Sequence, residues 1–207
     1  MPESQQHGNI WEDCIKRDVY QITQKIPYTA KYDIPKEYNT RNQNENVSIK
    51  TTQLKSVDMG DALRMYQNSE PTSLLVIRYK QVEEKKRLTE IINCQMPPKE
   101  TLFGTVSLEE VQTLDKMIKS VPKGTPEEGL LKEIHEYKDT LNKKSGYAHL
   151  RPKLDSQSQR RLQCSIVDFE ALLQKNQSLV RERNSEGKLY DIAIPLELDS
   201  SRRQRNS

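Results

Sequence analysis

The sequence predicts a mixed α/β fold, with a central mixed β-sheet flanked by helices, additional helices, and a C-terminal β-rich segment. Three observations lead there. Asn46-Val47-Ser48-Ile49-Lys50-Thr51-Thr52 alternates apolar and polar residues with period 2, as a half-buried strand does. Leu74-Leu75-Val76-Ile77 is apolar without alternation, as expected of a central strand covered on both faces. Segments with helical spacing stand around these strands, beginning with Trp11, Ile15, Val19 and Ile22.

Composition sets the bounds. The chain has 207 residues, of which 33% are hydrophobic and 30% charged, so the core must be lean and the surface very polar. The periodic placement of Val, Ile, Leu and Tyr argues for a folded protein. A formal net charge of +3 gives no global field for a polyanion, so any basic site must be local. Cys14, Cys94 and Cys164 are widely spaced and include no CxxC pair, which disfavours a disulfide framework or a zinc site. Reduced thiols point to a cytoplasmic protein, and no apolar run reaches membrane length, so no membrane partner is expected.

Residues 1–8 are expected to be a flexible start and 9–199 a single domain, divided into a core (9–81), a helical part (82–145) and a recognition segment (146–199). Asn9 is a plausible N-cap for a helix reaching about Gln24, with Glu12 at the edge of its apolar stripe. Lys31-Tyr32-Asp33-Ile34-Pro35 alternates, turning Tyr32 and Ile34 inward and Asp33 outward, and Asn39 to Asn44 is a polar turn. Strand periodicity then buries Val47 and Ile49 and puts Ser48, Lys50 and Thr52 on one face. Glu45 has the opposite parity and points to the core. Gly60 to Tyr66 has helical spacing, and the strand from Leu74 extends to about Gln81. Val82 to Asn93 reads as a charged helix with Leu88, Ile91 and Ile92 along its apolar edge.

Met96-Pro97-Pro98 breaks the pattern. Ser107-Leu108-Glu109-Glu110 is a capping box for a helix ending before Pro122. Lys123 to Thr125 reads as a turn, and Pro126 opens a second helix carrying Leu130, Leu131, Ile134, Tyr137 and Leu141. From Arg160 the chain alternates again, with Leu162, Cys164 and Ile166 on one side and Arg161, Gln163 and Ser165 on the other. A short helix from Phe169 to Gln174, a last strand from Leu189 to Leu198 and a basic tail at 200–207 complete the reading.

A helix bearing a glutamate, strands bearing Asp33 and then Ser48-Ile49-Lys50, a helix and a buried strand follow one another over 9–81. This order resembles the core of the PD-(D/E)XK nuclease superfamily, and most closely its type II restriction endonucleases. The resemblance implies a restriction-endonuclease-like core and hydrolysis of DNA phosphodiester bonds with Mg2+. On that pattern Asp33 is the principal metal ligand and Lys50 orients the attacking water. The sequence departs from the family at Ser48, where an Asp or Glu is usual. Asp61, with Asp58 behind it, and Glu12 are then the acids available as the second ligand.

Arg and Gln carry the paired donors and acceptors that match guanine and adenine edges, which nominates Arg161 and Gln163 for base reading, with Ser165 beside them. Lys153, Ser158 and Arg160 suit phosphate contacts. The same spacing fits an edge strand with ordinary polar residues. Together these readings give a sequence-specific restriction-type endonuclease acting on double-stranded DNA as a homodimer. The alternatives are a DNA-binding relative without catalysis and a repair or junction nuclease on the same fold.

Overall fold

The computed structural model describes residues 10–27, 31–122, 128–154 and 160–199. The expected N-terminal start with its Asn9 cap, the turn after Pro122, Ser158 and the basic tail lie outside them. The architecture is mixed α/β, and its contacts group into two compact units. The first comprises residues 1–54, 70–96 and 176–207, and the second 55–69 and 97–175. No helix among the described residues is long and apolar enough to cross a membrane.

The first unit is built on a mixed sheet of β1 (Asn46–Thr52), β3 (Thr72–Val82), β4 (Lys85–Gln95) and β10 (Glu197–Asp199), with β7 (Val180–Asn184) also paired to β4. β1 runs parallel to β3, placing Ser48 beside Leu74 and Lys50 beside Val76. β3 and β4 form an antiparallel hairpin. The first helix, α1, covers residues 10–19, and its second half, Ile15–Val19, is wound as a π-helix with the Tyr20 amide bonded to the Ile15 carbonyl at 3.0 Å. It seats Trp11, Ile15 and Val19 against Val47, Ile49 and Leu75 in one apolar cluster. Trp11 Nε1 donates to the Pro195 carbonyl at 2.9 Å, which fixes the helix to the C-terminal segment.

Several expectations are corrected. The helix expected over Val82 to Asn93 is strand β4. Ile91 and Ile92 are both fully buried because both faces of the strand are covered, and the charged run at 83–87 lies at the hairpin end, where Glu83 takes φ +53°. The helix expected to reach Gln24 stops at Tyr20, and Gln21 turns the chain with φ +55°. The strand expected over 31–35 is reduced to one antiparallel bridge, Ile34 to Val47, and on either side of it a side chain takes the place of the ladder: the Lys36 amide donates to Asn46 Oδ1 and the Ile49 amide to Asp33 Oδ2. Gly60 belongs to a strand rather than to the helix that follows it. The last strand is three short ones: β8 (Lys188–Leu189) and β9 (Ile192–Ala193) pair around Tyr190 and Asp191, both at positive φ as a tight hairpin turn requires, and β10 follows.

In the second unit β2 (Val57–Asp61), β6 (Arg161–Ile166) and β5 (Ala148–Lys153) form an antiparallel sheet with β6 in the middle. Around it lie the short helices α2 (Ala62–Tyr66), α3 (Lys99–Phe103) and α6 (Phe169–Lys175) and the longer α4 (Leu108–Ser120) and α5 (Glu128–Lys144). α4 and α5 pack on each other, α4 against β6 and α5 against β5. Their apolar stripes, Val111, Leu114 and Ile118 on α4 and Ile134 and Leu141 on α5, are buried as the 3.6-residue period expects. The capping box forms: the Ser107 amide donates to Glu110 Oε2 at 2.9 Å and the Glu110 amide to Ser107 Oγ at 3.2 Å.

Candidate active site

The site begins at the open edge of β1. The bridge at Ile34 holds Asp33 alongside the strand, and its Oδ2 accepts the Ile49 amide at 2.6 Å, so a side chain takes the edge amide that a further strand pair would use. The same oxygen accepts the Ser48 hydroxyl at 3.3 Å and lies 3.5 Å from Lys50 Nζ. Strand alternation makes this convergence: Ser48 and Lys50 project to the side opposite Val47 and Ile49, and both remain half-buried. The Asp33 and Lys50 side chains are 27% and 25% exposed, dry enough to strengthen their attraction and open enough to meet a substrate.

Glu12 joins them from α1. It forms an i, i+4 ion pair with Lys16, and the Asp33 and Lys50 charges both act on it. Its carboxyl is held above the usual carboxylate range, first by burial and then by repulsion from Asp33, while Lys16 and Lys50 pull the other way. Two acids and two lysines thus share one half-buried place. Lys16 is missing from the sequence reading, although its spacing from Glu12 is that of a helical ion pair.

Asp61 lies in the second unit, where its Oδ1 accepts the Arg64 amide at 2.8 Å and caps α2. Asp58 lies on β2 and accepts the Gly60 amide at 2.9 Å. Burial first, and then these two acids, push the Cys164 thiol up to about 12. Glu45 is buried, as its parity implies, and the reason is a partner far along the chain. Arg181 grips both of its carboxylate oxygens, at 2.5 and 2.8 Å, and donates to Ser73 Oγ at 2.8 Å.

The residues nominated for DNA lie on the β5–β6 pair of the second unit. Register places Arg151 opposite Gln163 and Lys153 opposite Arg161. Arg161 is half-buried, with a buried Nε that has no hydrogen-bond partner among the described residues. Ser165 is buried beneath Arg151, whose guanidinium donates to its hydroxyl at 2.9 Å. Arg160 donates to the Leu154 and Pro122 carbonyls, so its guanidinium ties loops together. On the other side of β6, Asp58 faces Ser165 and Asp61 faces Gln163, which makes the surface mixed in charge.

No protein-family model, curated protein or solved structure matches this chain. A divalent cation needs oxygen donors with free lone pairs, and the first unit offers two. Among the described residues Asp33 Oδ1 and Glu12 Oε2 have no hydrogen-bond donor, and the mutual repulsion of these acids is what a cation relieves. No group of three metal-ligating side chains occurs among the described residues. Two carboxylates suit Mg2+, which keeps several of its waters. The three cysteines are buried and free.

Proposed function

We propose that this protein is a Mg2+-dependent, restriction-type endonuclease that hydrolyses phosphodiester bonds of double-stranded DNA, working as a homodimer. The observation that carries the reading is the convergence of Asp33, Lys50 and Glu12 at the edge of β1, with Asp33 and Lys50 3.5 Å apart. Asp33 and Glu12 are the residues that would hold the ion. When bound, it supplies charge stabilisation at the phosphate and lowers the pKa of water. Lys50 contributes a positive Nζ that donates to the attacking water, orients it and favours its hydroxide form. Ser48 and the Ile49 amide hold Asp33 Oδ2, which leaves Oδ1 without a donor among the described residues. On β6, Arg161 and Gln163 are the base-reading candidates, and Lys153 on β5 contributes positive charge for the phosphate backbone.

A second reading, a DNA-binding relative without catalysis, is favoured by Ser48, whose hydroxyl donates to Asp33 where the family pattern has a second acid. Digestion of long mixed-sequence DNA, in Mg2+ and in EDTA, separates the readings. Discrete ends sharing a short sequence, lost in Asp33→Asn, support the restriction enzyme. Random nicks or structure-dependent cuts point to a repair or junction nuclease. Binding without cleavage supports the inactive relative.

A further inference from the structure

Beside the Asp33 site the first unit carries a cleft of about 380 Å³, lined by Lys31, Tyr32, Lys36, Tyr38, Asn46 and the acids Glu37 and Glu70, with Pro27 and Pro35 along its wall. Its volume falls at the small end of the roughly 300–1,000 Å³ of ordinary ligand sites. The cleft and the Asp33 site are made from the same two pieces of chain. Tyr32 immediately precedes Asp33, and Asn46 stands two residues before Ser48, on the same side of β1. Glu70 organises the interior: Tyr32 Oη donates to it at 3.2 Å, Asn46 Nδ2 at 3.3 Å, and the Lys31 and Lys36 ammonium groups lie 3.4 and 3.9 Å away. The Asn46 amide first, and then Lys31 and Tyr32, hold the Glu70 carboxyl below its usual range, so it stays an acceptor.

Such a lining specifies a ligand with three properties. Aromatic and proline surfaces take a flat ring, two ammonium groups take an anion, and an acceptor-only carboxylate takes N–H donors. A nucleotide has all three. We propose that the cleft holds one unpaired nucleotide of the strand whose phosphate meets Asp33 and Lys50, with its base on the tyrosine side, its phosphate near Lys31 and Lys36, and its amino edge toward Glu70. The inference rests on the nuclease reading for the direction of the strand, and a base extruded beside a cut has the necessary freedom.

The test is fluorescence anisotropy with short labelled oligo(dA), oligo(dC) and oligo(dT) in EDTA, so that binding is read without cleavage. The wild-type chain is expected to bind the amino-bearing dA and dC more tightly than dT. Lys36→Glu should weaken all three by roughly fivefold or more and flatten the salt dependence. Lys132→Glu, an exposed charge reversal on α5, should leave binding unchanged. Glu70→Gln should narrow the preference for dC over dT. Unchanged thermal midpoints confirm that the variants are folded. Equal weakening by Lys36→Glu and Lys132→Glu, or no oligonucleotide binding by the wild type, overturns the proposal. Cleavage in Mg2+ separates it from the nuclease reading. Asp33-dependent cutting with binding indifferent to Lys36 removes the cleft alone, whereas Lys36-dependent binding without any cutting removes the nuclease alone.

Discussion

At the Asp33 site each polar side chain constrains another. Glu12 has the clearest consequence for pH. Its folded-state pKa lies above the ordinary carboxyl value of 4.5, so folding favours its protonated form. That contribution is fully present below the ordinary carboxyl range and is lost as pH rises through the raised value. Glu12→Gln should therefore gain stability relative to wild type as pH rises from below the ordinary carboxyl range through the raised value. Urea midpoints at both ends check this, and a constant difference would refute it. Mg2+ at pH 8 should raise the wild-type thermal midpoint by binding the folded state, and Asp33→Asn should lose that rise together with cleavage. Lys50→Ala should lose cleavage but keep the Mg2+ response, because Lys50 is not a ligand. This charge set was half legible in the sequence: period 2 gave Ser48 and Lys50 a common side, and the helical stripe placed Glu12 at its edge. The Glu45–Arg181 pair was not legible, since its members are 136 residues apart and no local pattern joins them.

At the scale of elements, the sequence was readable where one face is wet and misleading where both are dry. β1 alternates because one side is half-exposed. β4 buries neighbouring Ile91 and Ile92, which erases the alternation and leaves Leu88, Ile91 and Ile92 at helical spacing. The capping box at Ser107 was legible because its bonds lie within one turn. Glycines divide by their surroundings. A Cβ at Gly146 would stand 2.2 Å from the Thr101 carbonyl oxygen, whereas one at Gly129, near the start of α5, meets nothing within 4 Å. Gly146→Ala is expected to cost about 1–3 kcal/mol through forced separation of backbone. Gly129→Ala should stabilise by roughly 0.5–1 kcal/mol through helix propensity. Denaturant unfolding measures both, and similar effects from the two would contradict the contact geometry.

For the whole molecule, 33 basic residues nearly balance 30 acidic ones, so the proposed DNA affinity would have to come from local placement. β6 shows how finely the charges are mixed, with Arg151 opposite Gln163 on one flank and Asp61 on the other. Binding should accordingly depend on sequence through Arg161 and on salt through Lys153. Arg161→Ala is expected to relax sequence preference, and Lys153→Ala to weaken all DNA about equally, as read by competition binding across salt concentrations. Unchanged preference in Arg161→Ala would remove it from base reading. The grouping into two units, each assembled from separated stretches of chain, is a whole-molecule property that no contiguous segmentation of the sequence contains.

The bond from the Ile49 amide to Asp33 has a consequence unrelated to chemistry on a substrate. β1 is the last strand on its side of the sheet, and an edge with unpaired amides is a template on which another chain can stack; here the Val47 amide is taken by the Ile34 carbonyl and the Ile49 amide by Asp33. Asp33 covers that amide with a carboxylate, so its loss is expected to open the edge to other chains. Substituting it with alanine should make the protein both inactive and sticky, whereas asparagine keeps an acceptor in place and separates the two losses.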